Sequence, residues 1–122
     1  MTDPIKHYQP EQEYFFEEGC HIVEISNSPA DEDASIVQAT VKPGEQTRWH
    51  RLKNTFERYV ILSGEGLVEV GDHAPAKVTL KDIVLIPPDT RQRIRNIGQE
   101  DLTFLAVCTP RFKQENYIDE GA

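Results

Sequence analysis

Between Gly19 and Thr109 no stretch keeps a helical period for more than a turn or so. Apolar and polar residues alternate instead, in short runs rich in Val, Ile, Leu, Phe and Tyr. HIVEIS, SIVQATV, RYVILS, LVEV, KVTL, DIVLIPP, QRIRN and LTFLAVCT read as strands, with one more around His50. Turn signals separate them: Lys42-Pro43-Gly44, Gly64-Glu65-Gly66, Gly71-Asp72, Pro87-Pro88-Asp89 and Asn96-Ile97-Gly98. Eight or nine strands at this spacing predict an all-β jelly-roll barrel or sandwich. The expected division is an acidic N-terminal arm over 1–18, a barrel over 19–110 and a tail over 111–122. The two ends lie over the barrel or across to a partner.

Alternation also sorts side chains by face. Around His50, the residues Arg48, His50 and Leu52 share one face while Trp49 and Arg51 point the other way. In the next strand Glu57 lies with Tyr59 and Ile61. Around QRIRN the arginines Arg91, Arg93 and Arg95 make a solvated face, which turns Gln92 inward, where an amide needs a partner. In CHIVEIS, a solvent-facing Glu24 would carry Cys20 and Ile22 outward and bring His21 to the core side.

Charge adds one asymmetry. The net charge is −8, and residues 1–33 hold nine acids against Lys6 alone; the remaining 12 acids and 12 bases cancel. That argues against nucleic acid and anionic membranes as partners. No apolar run is long enough for a transmembrane helix, and charges stand where a signal peptide needs its apolar segment, so a cytoplasmic location is expected. Cys20 and Cys108 fit no metal or redox spacing; reduced, packed thiols are expected, with a single disulfide as the alternative.

Two motifs carry chemistry. Gly44, His50, Glu57 and Gly64 fall at the spacings of the first cupin motif, with Leu52 where that motif has a second histidine. Pro87 and Asn96 fit the second motif, in which Lys81 and Asp89 replace glycines and Gln92 replaces a histidine. Over residues 35–109 the sequence therefore resembles the cupin superfamily, in its small single-domain form. The resemblance implies a jelly-roll barrel, commonly a homodimer, whose interior holds a divalent metal on three His and one Glu.

Carried over position by position, that leaves His50, Glu57 and Gln92 beside an apolar Leu52. One imidazole, one carboxylate and a weak amide suit a labile Zn, Ni or Mn site better than iron-based dioxygen chemistry. His21 is a less favoured extra ligand, its alternative being a hydrogen-bonded histidine at the barrel rim. Without metal, His50 and Glu57 form a general acid or base pair oriented by Gln92. Arg48, one pleat along, would anchor a carboxylate or phosphate if it pointed inward, and Tyr59 would donate a hydrogen bond. Two functions stay open: an isomerase, lyase or decarboxylase acting on a small polar or anionic metabolite, and a small-molecule binding or sensing protein without turnover.

Overall fold

The computed structural model describes residues 3–122 as two antiparallel sheets facing each other. The described residues form eleven strands. They are β1 (Tyr14–Phe16), β2 (Cys20–Ser26), β3 (Ser35–Val41), β4 (Trp49–Leu52), β5 (Phe56–Ser63) and β6 (Gly66–Val70). The others are β7 (Ala76–Val78), β8 (Ile83–Ile86), β9 (Gln92–Asn96), β10 (Leu102–Thr109) and β11 (Tyr117–Gly121). One sheet runs β1-β2-β3-β10-β5-β8 and the other β11-β4-β9-β6-β7. This is the expected all-β jelly roll. KVTL and DIVLIPP form shorter strands than their apolar runs allow, because Lys81 turns the chain at positive φ and Pro87-Pro88 cannot extend a ladder.

Alternation builds the core. Along β10 the side chains of Leu102, Phe104, Ala106 and Cys108 are buried and those between them are half-exposed. Opposite them on β5 stand Glu57, Tyr59 and Ile61, also buried. Tyr59 and Phe104 meet with ring centroids 4.3 Å apart, adding an aromatic contact to the area buried. The two ends of the chain both join the barrel as edge strands: β1 pairs with β2, and β11 pairs with β4. The turn after β1 also closes the gap between the sheets, where Arg48 N–H donates to Glu18 O at 2.7 Å.

The two motif glycines replaced in this chain explain themselves. Lys81 and Asp89 have φ of 70° and 60°, the left-handed conformation a glycine adopts at no cost. Asp89 is held there by its N–H to Leu52 O and by its carboxylate on Arg51 Nη1. Asn96, the last motif residue, is structural. Its amide donates to Val41 O and Glu100 O, and its oxygen accepts from Gly98 N–H.

Gly64 and Gly44 give a contrast. Both have positive φ, but a Cβ at Gly64 would lie 2.5 Å from Asp101 O, whereas one at Gly44 would meet nothing within 4 Å. Gly44→Ala should cost about 1 kcal/mol in urea unfolding, from the left-handed backbone alone, and Gly64→Ala at least about 2 kcal/mol more. Equal losses would mean that the Gly64 turn relaxes freely.

Candidate functional site

Inside the barrel the polar side chains gather at one corner. Gln92 enters from β9, cross-strand from His50. Its oxygen accepts from Tyr59 Oη and its Nε2 donates to Glu57 Oε1, so the amide bridges the two sheets with both ends satisfied. Glu57, Tyr59, His50 and Gln92 are all buried. Cys108 Sγ approaches the other carboxylate oxygen, Glu57 Oε2, at 3.8 Å.

His50 is fixed by its own strand. Nδ1 lies 2.7 Å from Arg48 O, and since a carbonyl only accepts, Nδ1 carries a proton. Nε2 then faces Glu18 Oε1 at 3.6 Å. The ring stacks on Tyr117 of β11, with centroids 5.4 Å apart, and the Tyr117 hydroxyl is buried without a hydrogen-bond partner.

Burial dominates the titration of the corner. It pushes the Glu57 carboxyl up from its ordinary 4.5 to about 7; the His50 charge opposes the shift and the Glu18 carboxylate adds to it. Burial likewise raises the Cys108 thiol, with the Glu57 charge adding to the effect, and raises the Tyr117 hydroxyl, where Glu18 adds. Glu57 is therefore a carboxyl that changes protonation near neutral pH. Its Oε1 is occupied by Gln92, which leaves Oε2 to carry the proton.

A cavity of about 50 Å³ adjoins this corner. By the measure in which one water takes roughly 10–15 Å³ it holds a few water molecules. Glu57, Tyr59, Phe104 and Ala106 form its inner wall, and Tyr14, Phe16 and Glu18 close it from the β1 side.

Several sequence expectations need correction here. His21 is not on the core side: Cys20 and Ile22 are in the core, and His21 packs against Phe15, centroids 5.1 Å apart. Parity failed because Glu24 lies on the inward face at the cavity mouth, where it accepts a hydrogen bond from Tyr14 Oη. A rim carboxylate satisfied in this way looks, in sequence, like an outward one. Arg48 does not turn inward either; its guanidinium pairs with Asp119 of β11 at 3.1 Å on the surface. The site thus has no anchor at Arg48 for an anion.

Gln92 also fails as a ligand, because its oxygen is taken by Tyr59 and its nitrogen donates to Glu57. With Leu52 buried and apolar, the positions of the metal motif offer only His50 and Glu57. Among the described residues no group of three or more His, Cys, Asp or Glu could hold a metal ion. The donor set does not fit the divalent metal that the fold family implies.

Sequence reasoning missed Glu18, Cys108 and Tyr117. Glu18 lies in the turn between β1 and β2, where Gly19 has φ of 108°, so strand parity does not reach it. Cys108 follows from the alternation of β10. Tyr117 had no signal, since the pairing of the tail with β4 brings it to His50.

Residues 37–108, more than half of the chain, match the family described as Cupin domain. A protein of Methanocaldococcus jannaschii, described as uncharacterized protein MJ1618, is 34% identical over 82 residues, 67% of this chain. The match spans 65% of that relative, slightly under two thirds of its length. Among solved structures, a tyrosine-to-phenylalanine variant of Streptomyces PAC13 with uridine superposes with TM-score 0.79 at 18% identity, covering 99% of this chain and 93% of that one. Another structure of that protein describes it as a nucleoside dehydratase. KdgF from Halomonas sp. gives TM-score 0.74 at 15% identity, covering 86% of this chain and 94% of its own. At these identities the solved structures establish the fold.

The Glu57 titration predicts a stability profile. Above pH 4.5 the unfolded chain releases this proton, while the folded protein keeps it until about pH 7. Folded protein therefore holds the extra proton across that window, and stability falls as pH rises through it, by roughly 3 kcal/mol in all. Melts of wild type and Glu57→Gln between pH 4.5 and 7.5 should show the wild type losing ground to the variant. Parallel curves would contradict the raised value.

Proposed function

The chain belongs to the cupin family, and on that premise we propose that its barrel binds a small uncharged or cationic metabolite beside His50 and Glu57. There it moves protons on the ligand without a metal. The observation that carries this reading is the Gln92 amide, held between Tyr59 and Glu57. It turns a ligand position into a support for a carboxyl that exchanges its proton near neutral pH.

Isomerisation and elimination need a base to take a carbon-bound proton and an acid to give one to oxygen. His50 Nε2, with Nδ1 fixed on Arg48 O, takes the proton as the C–H bond breaks. Glu57 Oε2 delivers a proton to the departing oxygen, which leaves as water while the carbon–carbon double bond forms. The proton on His50 then returns to Glu57 through solvent. Charge favours an uncharged or cationic ligand over sugar acids and keto acids, since Arg48 is engaged with Asp119 and the cavity wall carries Glu18 and Glu24. Uridine, present with Streptomyces PAC13, is a ligand of this uncharged class. A binding role without turnover is the second reading, favoured by the apolar Leu52 and by the small size of the cavity. The homodimer expected from the family stays part of the proposal, and sedimentation measures it directly.

Thermal-shift screening tests the ligand class, with nucleosides, ring amines and sugar acids as the panel. Stabilisation should come from the first two classes and should survive a chelator. Protein purified without a metal-affinity tag should contain less than about a tenth of an equivalent of transition metal. Stabilisation by sugar acids alone, or its loss on chelation, would sink the proposal.

A further inference from the structure

The charge asymmetry of the chain reappears at the cavity. Glu18 and Glu24, both from the acidic segment 1–33, line it together with Glu57. Aromatic rings supply much of the remaining wall: Tyr14 and Phe16 from β1, Tyr59 and Phe104 from the core, and Phe112 from the segment before β11. Among the described residues lining the cavity there is no lysine or arginine. The two cations that flank Phe112 are engaged elsewhere, Arg111 with Glu32 at 3.0 Å and Lys113 with Glu32 at 3.8 Å. Arg58, on the outward side of β5, is held over the Phe56 ring and on Thr109 Oγ1. His50 is the one group facing this corner that becomes positive on protonation, and it faces Glu18.

Aromatic faces and carboxylates around one cavity are the chemistry that recognises an organic cation. Ring faces attract a positive charge through their quadrupoles, and a carboxylate in a partly desolvated wall adds a direct Coulomb attraction. We infer that the cavity takes a small organic ammonium ion, protonated or quaternary, carried on a flat or apolar body. This rests on the reading of the cavity as a ligand pocket and narrows its ligand from uncharged or cationic to cationic. Part of the acidic segment then belongs to the recognition surface: the turn after β1 and β2 itself bring Glu18 and Glu24 to the cavity, where they raise the local concentration of cations.

Three compounds of matched shape test the charge dependence: benzylamine, benzyl alcohol and benzoate. Each is titrated into the full chain and followed by amide chemical shifts at Ala39 and Ala106, which line the cavity. Benzylamine should bind about tenfold or more tighter than benzyl alcohol, benzoate should bind weakest, and Glu18→Gln should bring the first two close together. Benzyl alcohol binding as tightly as benzylamine would overturn the inference and leave the pocket reading standing. Tightest binding by benzoate would overturn both. Benzylamine shifts confined to the acidic surface, with Ala39 and Ala106 unmoved, would overturn the inference, as would an undiminished cation preference in Glu18→Gln. The amide spectrum of the variant shows directly whether it is folded.

Discussion

The Gln92 side chain reaches from β9 across the barrel and meets two residues of β5. It accepts from Tyr59 and donates to Glu57, so one amide satisfies two buried polar groups of the opposite sheet. An unpaired polar group there would cost about 1–3 kcal/mol. The bridge occupies Oε1, which leaves Oε2, beside Cys108 Sγ, to hold a proton. His50, cross-strand from Gln92, is fixed independently through Nδ1. Two titratable groups thus stand at one corner with their orientations set by hydrogen bonds, on strands rather than on loops.

The fold was legible because its signals were redundant. Strand parity, turn residues and motif spacing agreed for β5 and β9, and burial alternates along β5, β9 and β10. Lys81 and Asp89 took over glycine positions without disturbing the turns, since both adopt positive φ. The site was legible in part. His50, Glu57, Tyr59 and Gln92 follow from parity, which fixes the face of a strand. Parity does not say what the side chain meets. Arg48 has the inward parity but stands just before β4, where a long side chain can turn out to Asp119. His21 was misplaced by a satisfied carboxylate at the rim. Glu18 and Tyr117 came from the ends of the chain, whose pairing no local pattern encodes.

Replacing one histidine of the family motif by leucine and another by glutamine leaves a barrel that keeps a polar corner but not a metal set. Burial does what a cation would otherwise have done: it brings a titrating group close to neutral pH, through desolvation of Glu57. The acidic segment belongs with this chemistry. Two of its nine acids, Glu18 and Glu24, lie beside aromatic rings at the cavity.

The central claim is that Glu57 is a proton-carrying carboxyl held by Gln92, and not a metal-ligating carboxylate. Carbon-13 NMR of the Glu57 side-chain carboxyl, followed from pH 4 to 9 and assigned with Glu57→Gln, measures that state directly. The titration midpoint should lie near 7 and shift when Gln92 is replaced by Met. A midpoint in the ordinary carboxylate range near 4.5, unmoved by that replacement, would contradict it.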